Sequence, residues 1–560
     1  MKKKIIEFEN FSFRYKEQNT HTLKNINLTI YEGEKVLIVG PSGSGKSTIS
    51  NCINGIGIFY NNGEIQGTLK IDNEDIKTKS IYELSTKIGT VLQDPDSQFI
   101  GLTVGEDIAF KLENYCVEQH QMKELVSSSA KKVNIYDEIN SSPYKLSGGQ
   151  KQRVTLAGVT VDDVDILLFD EPLASLDPKT GKGAMELINE IQKTQNKTMV
   201  IIEHRLEDVL HCDIDRIIVV NNGEIIKDTT PKELLKSDIL GQVGVREPLY
   251  LTAMKYAGCD ITKDLEINDY KDQIKSWYSS IEYENTTDKN ENILEFKNID
   301  FAYDTKKQVL KDVSFEIKKG DMVSIAGKNG AGKSTISKII CGFYKPTSGQ
   351  ILLEGKNIEN LSIKQRADKI GFVMQNPNQM ISKTMIFDEV AFGLKLRGVS
   401  EDEIQQRVYD TLKICGLYGH RNWPISALSY GQKKRVTIAS ILVLNPEIII
   451  LDEPTAGQDF KHYTEIMEFL LELNKKGVTI IMVTHDMHLM LEYTNNVIVL
   501  ADSHKICDDI PAKILTNKEI IDKANLKETS LQDLAINCGI EDSTDFVNKF
   551  ISYDRKVRRI

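Results

Sequence analysis

The sequence predicts an α/β protein in which one fold is built twice along a single chain. Three observations carry this reading. A Gly-x-x-x-x-Gly-Lys-Ser run follows a short apolar strand at residues 40–48 and again at 327–335. Continuous apolar runs at 164–169 and 448–451 end in Asp170-Glu171 and Asp452-Glu453, as expected of strands buried on both faces of a parallel sheet. Finally, every motif of the first copy recurs in the second in the same order.

The repetition is detailed. VLQDP returns as VMQNP, KLSGGQKQRVTLA as ALSYGQKKRVTIA, ILLFDEP as IIILDEP and IIEH as MVTH. The copies lie 287 residues apart at Lys46 and Lys333, and 282 apart at Gln93 and Gln375. The same 282 separates Asp170 from Asp452, and 281 separates His204 from His485. Order and spacing are kept together, which marks a duplicated domain. The first nucleotide-binding domain is expected over 3–235 and the second over 293–525. Residues 236–292 read as a helical connector that ends in a flexible linker, EYENTTDKNEN. A tail at 526–560 has a mixed helical pattern to which the sequence assigns no function. Within each copy, strands are expected at 35–39, 198–202 and 479–483, and a helix is expected to start at 48–54.

Composition narrows the classes. The chain has 560 residues, 40 % hydrophobic and 27 % charged, which is ordinary for a globular protein. Its formal net charge of −11 argues against a dedicated nucleic-acid binder, which needs clustered Lys and Arg. Eight cysteines are scattered without a CxxC pair, so they read as buried thiols in a reducing cytoplasm, not as disulfides or metal ligands. The start, Met1-Lys2-Lys3-Lys4-Ile5-Ile6, lacks the apolar core of a secretory signal. No apolar run approaches the ~20 residues that span a bilayer, and the richest, 438–451, is broken by Asn445-Pro446-Glu447.

The Gly-rich runs are phosphate cradles. Their glycines let backbone N–H groups close on phosphates at a helix N-terminus. The first comprises Gly40, Pro41, Ser42, Gly43, Ser44, Gly45, Lys46, Ser47 and Thr48. The second comprises Gly327, Lys328, Asn329, Gly330, Ala331, Gly332, Lys333, Ser334 and Thr335. Lys46 and Lys333 are expected on the β- and γ-phosphates of ATP, with the Ser47 and Ser334 hydroxyls on Mg²⁺. Asp170 and Asp452, at strand ends, are candidate Mg²⁺ partners. Glu171 and Glu453 are candidates to orient or deprotonate the attacking water. Both glutamates are present, so neither copy reads as catalytically dead.

Leu146-Ser147-Gly148-Gly149-Gln150, upstream of such a strand, resembles the signature of the ATP-binding-cassette family. The resemblance covers both copies and implies a P-loop NTPase domain in each, with a RecA-like core and an α-helical signature subdomain. It further implies intramolecular pairing of the two domains head to tail. Ser147, Gly148, Gly149 and Gln150 would then serve the nucleotide on Lys333, while Ser429, Gly431 and Gln432 would serve the nucleotide on Lys46. Gln93 and Gln375 are similar to the glutamines that touch Mg²⁺ or the lytic water and relay to a membrane partner. His204 and His485 are similar to the γ-phosphate switch histidines, and so join Glu171 and Glu453 as catalytic candidates. Tyr15 and Tyr303 are similar to the aromatic that stacks on adenine, although an aromatic in a β-rich start is also a common core residue. Tyr430 replaces the first signature glycine, and the loops after the Asp-Glu pairs differ: Ala174-Ser175-Leu176-Asp177 against Ala456-Gly457-Gln458-Asp459. Unequal rates at the two ATP sites are therefore expected, but not inactivity.

The segments QDPDSQFIGLTVGEDIAFKLEN and QNPNQMISKTMIFDEVAFGLKLRG resemble the corresponding stretch of energy-coupling-factor importer ATPases. Asp96-Ser97-Gln98 and Asn378-Gln379 carry that likeness, with Glu106-Asp107 and Asp388-Glu389 beyond. The resemblance implies an ATP hydrolase coupled to import, held peripherally at the cytoplasmic face of the membrane. Its partners would be an integral-membrane coupling subunit and a membrane subunit that captures a vitamin or a transition-metal ion, with no nucleic acid. Two alternatives stay open. One is a tandem ATPase of ribosomes or other nucleic-acid assemblies, for which a long basic linker would be expected. The other is the ATPase of a sugar-type importer, for which one degenerate half would be expected.

Overall fold

The structure is a computed structural model that describes residues 2–16, 18–174, 176–262, 267–282, 290–303, 308–456 and 458–558. Most of the expected flexible linker, as well as Ser175 and Gly457, falls outside the described residues. The chain divides into two compact units, Met1–Glu266 with Asp459–Lys461, and Ile267–Gln458 with His462–Ile560.

In the first unit, an antiparallel sheet runs in the order Leu23–Tyr31, Lys4–Arg14, Glu64–Ile71, Glu74–Asp75. A six-stranded sheet follows the order Glu224–Thr229, Arg216–Asn221, Lys35–Val39, Thr198–Ile202, Ile166–Asp170, Ile88–Val91. Its strands pair in parallel except for the antiparallel edge Glu224–Thr229.

Strand alternation explains why the central runs are apolar throughout. Val36, Ile38, Ile166 and Leu168 join one buried cluster with Phe8, Phe11 and Phe13 of the antiparallel sheet. Leu37, Val39, Leu167 and Phe169 point the other way, into a cluster with Met185 and Ile188. Successive side chains leave opposite faces, so a strand covered on both sides has no polar face.

The second unit repeats the plan. Gln308–Lys318, Asn292–Ala302, Ser348–Leu353 and Lys356–Asn357 form the antiparallel sheet. The larger sheet has the order Ile370–Val373, Ile448–Asp452, Thr479–Val483, Met322–Gly327, Asn496–Ala501, His504–Asp509, again with one antiparallel edge. Each unit also carries three mutually packed helices: Val104–Asn114, Gln119–Lys132 and Gly148–Thr160, or Ile386–Leu396, Glu401–Ile414 and Tyr430–Leu442.

The connector is shared between the units. Leu240, Val245, Leu251 and Ile261 are buried in the first unit's core. The helix Lys271–Ser280 instead packs in the second unit against the tail helices Ser530–Cys538 and Ser543–Arg558. Trp277 anchors this contact, with ring centroids 6.2 Å from Phe546, 6.5 Å from Phe550 and 5.5 Å from Tyr553. Among the described residues, no helix is long and apolar enough to cross a membrane.

Candidate functional site

The Gly-rich run of each unit leaves its central parallel strand and enters a helix, Lys46–Ile53 or Lys333–Ile340. The residues before them, Gly45 and Gly332, have φ of 106° and 99° and supply no side-chain cap. That left-handed φ strains any residue but glycine, and an added Cβ would also come within 2.7 Å of a Leu23 methyl at Gly45 and 2.6 Å of a Leu310 methyl at Gly332. Gly43 and Gly330 also have positive φ, 73° and 81°, but face open space. Uncapped first-turn N–H groups thus follow a glycine-rich loop with open space beside it, the chemistry of an anion cradle. Ser44 adds a buried Oγ without a hydrogen-bond partner among the described residues.

Both lysines are buried and folded onto their own loops. Lys46 Nζ donates to Gly40 O and Pro41 O, each at 2.8 Å. Lys333 Nζ donates to Gly327 O at 2.6 Å and Lys328 O at 3.1 Å. Burial pushes Lys46 down to about 8, opposed by the nearby Glu171 carboxylate. Ser42, Asn329 and Ala331 lie in the loops between the glycines, and Thr48 and Thr335 in the first helical turns. Tyr15 and Tyr303 hydroxyls reach Thr48 Oγ1 at 3.4 Å and Thr335 Oγ1 at 2.8 Å. Tyr15 also packs against the core beside Phe13, whereas Tyr303 is 56 % exposed.

The strand ends converge on the same loops. Ser47 Oγ donates to Asp170 Oδ1 at 3.0 Å, and Ser334 Oγ to Asp452 Oδ1 at 3.4 Å. Burial raises both aspartates above the ordinary carboxylate range. In each unit the serine hydroxyl and the aspartate carboxylate are hard oxygen donors suited to Mg²⁺ shared with phosphate.

Glu171 and Glu453 each occupy the left-handed region, at φ 49° and 45°, although neither is glycine. That conformation costs about 1–3 kcal/mol and is held by the Glu171 N–H to Ile202 O and Glu453 N–H to Val483 O bonds. It brings Glu171 Oε1 to 2.6 Å from His204 Nε2 and Glu453 Oε1 to 2.7 Å from His485 Nδ1. Gln93 Nε2 donates to Glu171 Oε2 at 2.6 Å, whereas Thr484 Oγ1 donates to Glu453 Oε2 at 3.4 Å. Burial disfavours the Glu453 anion, yet His485 and Lys333 bring its pKa below the ordinary value.

Ser147 and Ser429 are helix N-caps with capping boxes. Gln150 Oε1 accepts from Ser147 N at 3.0 Å, and Gln432 Oε1 accepts from Ser429 N at 3.0 Å. Both signature glutamines are therefore engaged in shaping their own turns. Gly148 and Gly149 open one helix and Gly431 lies in the first turn of the other; a Cβ at Gly149 would stand 2.3 Å from Thr180. Tyr430 is helical, and its hydroxyl donates to Gln375 O at 3.4 Å.

One sequence-based pairing needs correction. The likeness sets Gln98 beside Gln379, but Met380 fills the place of Gln98 in the second unit. Gln98 Oε1 accepts from Leu92 N at 2.8 Å, and its Nε2 donates to Thr90 O at 3.0 Å. Met380 Sδ accepts from Met374 N at 3.1 Å. Both side chains close the loop from inside, and the constant offset of 282 residues would have revealed the correspondence. Exposed nearby are Ile100 and Leu102, at 63 % and 79 %. Two carboxylates brace this segment: Asp107 Oδ1 accepts from Ile100 N at 2.8 Å, and Glu106 Oε2 accepts from Leu102 N at 2.9 Å.

Fold and site together define a tandem P-loop ATPase. Comparison with known proteins places the family. Residues 23–174 and 310–456 match the family described as ABC transporter, and 237–301 match one described as ATP-binding cassette cobalt transporter. An ABC transporter ATP-binding protein of Clostridium perfringens (strain 13 / Type A) is 62 % identical, covering 100 % of both chains. One from Enterococcus faecalis (strain ATCC 700802 / V583) is 57 % identical, again over 100 % of both. A solved structure, cbiO1 from Clostridium perfringens, described as part of the ABC transporter complex cbiONQ, is 38 % identical. It covers 42 % of this chain and 95 % of its own, with a TM-score of 0.39. The chain belongs to the ATP-binding proteins of ABC transporters, and it hydrolyses ATP in the service of transport.

Proposed function

We propose that this protein is the tandem ATPase of an energy-coupling-factor type importer, driving uptake of a vitamin or a transition-metal ion. The observation that carries the reading is the pair of similar segments that follow Gln93 and Gln375, each joined directly to a loop beside a Glu–His pair. The likeness of 237–301 to an ATP-binding cassette cobalt transporter supports the same class.

In each half, the Gly-rich loop and its lysine hold the ATP phosphates. Ser47 with Asp170 and Gln93, and Ser334 with Asp452 and Gln375, would hold Mg²⁺, which neutralises phosphate charge when bound. Glu171 and Glu453 orient the lytic water and take its proton, while His204 and His485 fix each carboxylate and meet the γ-phosphate. The two domains pair within the chain, as the family resemblance implies, and Ser147 and Ser429 cap the signature helices that approach nucleotide. Closure on ATP and reopening after hydrolysis pass through the glutamine loops to an integral-membrane coupling subunit beside a substrate-capture subunit. The protein accordingly works peripherally, at the cytoplasmic membrane face.

The decisive experiment replaces 94–103 and 376–385 with unrelated loops in cells that accumulate the labelled cargo. Uptake should collapse while the purified chain still hydrolyses ATP. Undiminished uptake, or recovery of the native chain with ribosomes instead of membranes, overturns the reading.

A further inference from the structure

The second unit holds a buried lysine for which the chemistry above has no use. Lys434, on the signature helix Tyr430–Leu442, is 1 % exposed. Its Nζ donates to Met374 O at 2.8 Å and to Gln375 O at 2.9 Å. Those carbonyls follow directly on the edge strand Ile370–Val373, where the glutamine loop begins. Tyr430, one turn earlier on the same helix face, donates to Gln375 O as well.

The first unit is wired differently. Gln152 occupies the place of Lys434, and its Nε2 donates to Pro172 O at 2.8 Å, away from the glutamine loop. Gly148 occupies the place of Tyr430 and has no side chain to offer. Here the signature helix reaches the loop through Lys151 Nζ and Asp96 Oδ1, 2.6 Å apart, with the Asp96 side chain 49 % exposed. The second unit has Asn378 in the place of Asp96, so that ion pair has no counterpart.

We propose that Lys434, assisted by Tyr430, is a positioning residue that ties the second half's glutamine loop to its signature helix. Movement of that helix then carries Gln375 and the segment behind it, chiefly through hydrogen bonds from the buried Lys434 ammonium. The first half makes the same connection through a solvent-facing ion pair. Charge-assisted bonds from a buried ammonium keep more of their strength in salt, whereas exposed pairs are screened over about 8 Å at physiological ionic strength. The two halves thus transmit motion through links of different salt sensitivity. This deepens the coupling role proposed for the glutamine loops.

Amide hydrogen exchange on the purified full-length chain tests the tie without any membrane partner, so its outcome is separable from that of the uptake experiment. In wild type, exchange at 93–98 should accelerate between about 0.05 and about 0.5 M salt, while exchange at 374–380 stays constant. Lys434→Met should accelerate exchange at 374–380 about tenfold and leave 93–98 alone. Lys434→Gln, which copies the first half's residue, should do the same, and Lys434→Arg should restore most of the protection. The Lys434→Met and Lys434→Gln chains should also lose kcat for ATP more than they raise KM, without a matching fall in Tm. Unchanged exchange at 374–380 in both variants, equal salt dependence of the two loops in wild type, or a uniform rise across the second unit would each overturn the proposal.

Discussion

At the scale of single residues, the informative feature is backbone strain at two glutamates. Glu171 and Glu453 sit at positive φ, a conformation that asparagine or glycine adopts more easily. Without a requirement for a carboxylate at that point, the substitution would relieve strain, so the strain itself points to chemistry. Glu171→Gln together with Glu453→Gln keeps side-chain length and the polar contact to each histidine but removes the proposed base. Phosphate release should fall by about 10²–10⁴-fold, the range usual for a positioned general base. ATP binding, followed by equilibrium dialysis, should survive. Full turnover in the double variant would remove both residues from the mechanism. The sequence alone disclosed these glutamates, since an apolar strand ending in Asp-Glu is visible in one dimension. It did not disclose Lys434, because a lysine at helical spacing normally reads as solvated, and only the fold reveals the carbonyls above it.

At the scale of elements, carboxylates at helix starts hold functional loops in place. Asp107 accepts two backbone donors, Ile100 N and Gly101 N, the second at 3.1 Å. Glu389 does the same work in the second unit for Ser382 N at 2.8 Å and Lys383 N at 2.7 Å. Burial pushes Asp107 above its ordinary pKa, so an uncharged acceptor suits the site. Asp107→Asn should therefore leave the 100–101 segment ordered, while Asp107→Ala should free it and cost about 1 kcal/mol. Limited proteolysis of the two variants distinguishes them; equal cutting rates would refute the brace.

The tail, whose pattern assigned it no role, is held to the second unit by polar contacts of its own. Arg558 Nη2 lies 3.1 Å from Glu492 Oε2, and Arg555 Nε donates to Glu492 O at 2.7 Å. Glu492 belongs to the helix Met487–Tyr493, which starts just beyond His485. Removing one member of a buried pair is costly, so Arg558→Met should destabilise the second unit by about 3 kcal/mol. Arg558→Met with Glu492→Met should recover part of that loss in denaturant melts. A loss under about 0.5 kcal/mol for the single variant would mean that the Arg558 ion pair contributes nothing to holding the tail.

At the scale of the whole molecule, duplication made most of the fold legible and also hid its asymmetry. Constant offsets between motifs carry over because parallel strands and their crossovers admit few insertions without disrupting the sheet. The strands that lead into each Gly-rich loop and into each Asp-Glu pair follow from that regularity. Offsets say nothing of where a connector divides, because apolar residues at 240–261 and at 274–281 look alike in sequence yet enter different cores. Nor do they rank the two halves. Glu171 is held by both Gln93 and His204, at 2.6 Å each, whereas Glu453 is held by His485 and, at 3.4 Å, by Thr484. In the first half Gln93 is thus already engaged with Glu171, the proposed base, whereas in the second the backbone of the glutamine loop is bonded to Lys434 instead. Preorganisation of the base favours turnover, since less reordering precedes the attack. Glu171→Gln alone should accordingly lower kcat more than Glu453→Gln alone. Steady-state rates of the two single variants at saturating ATP decide the matter: the reverse order, or equal losses, would show that the contacts around each glutamate do not set the pace of its half.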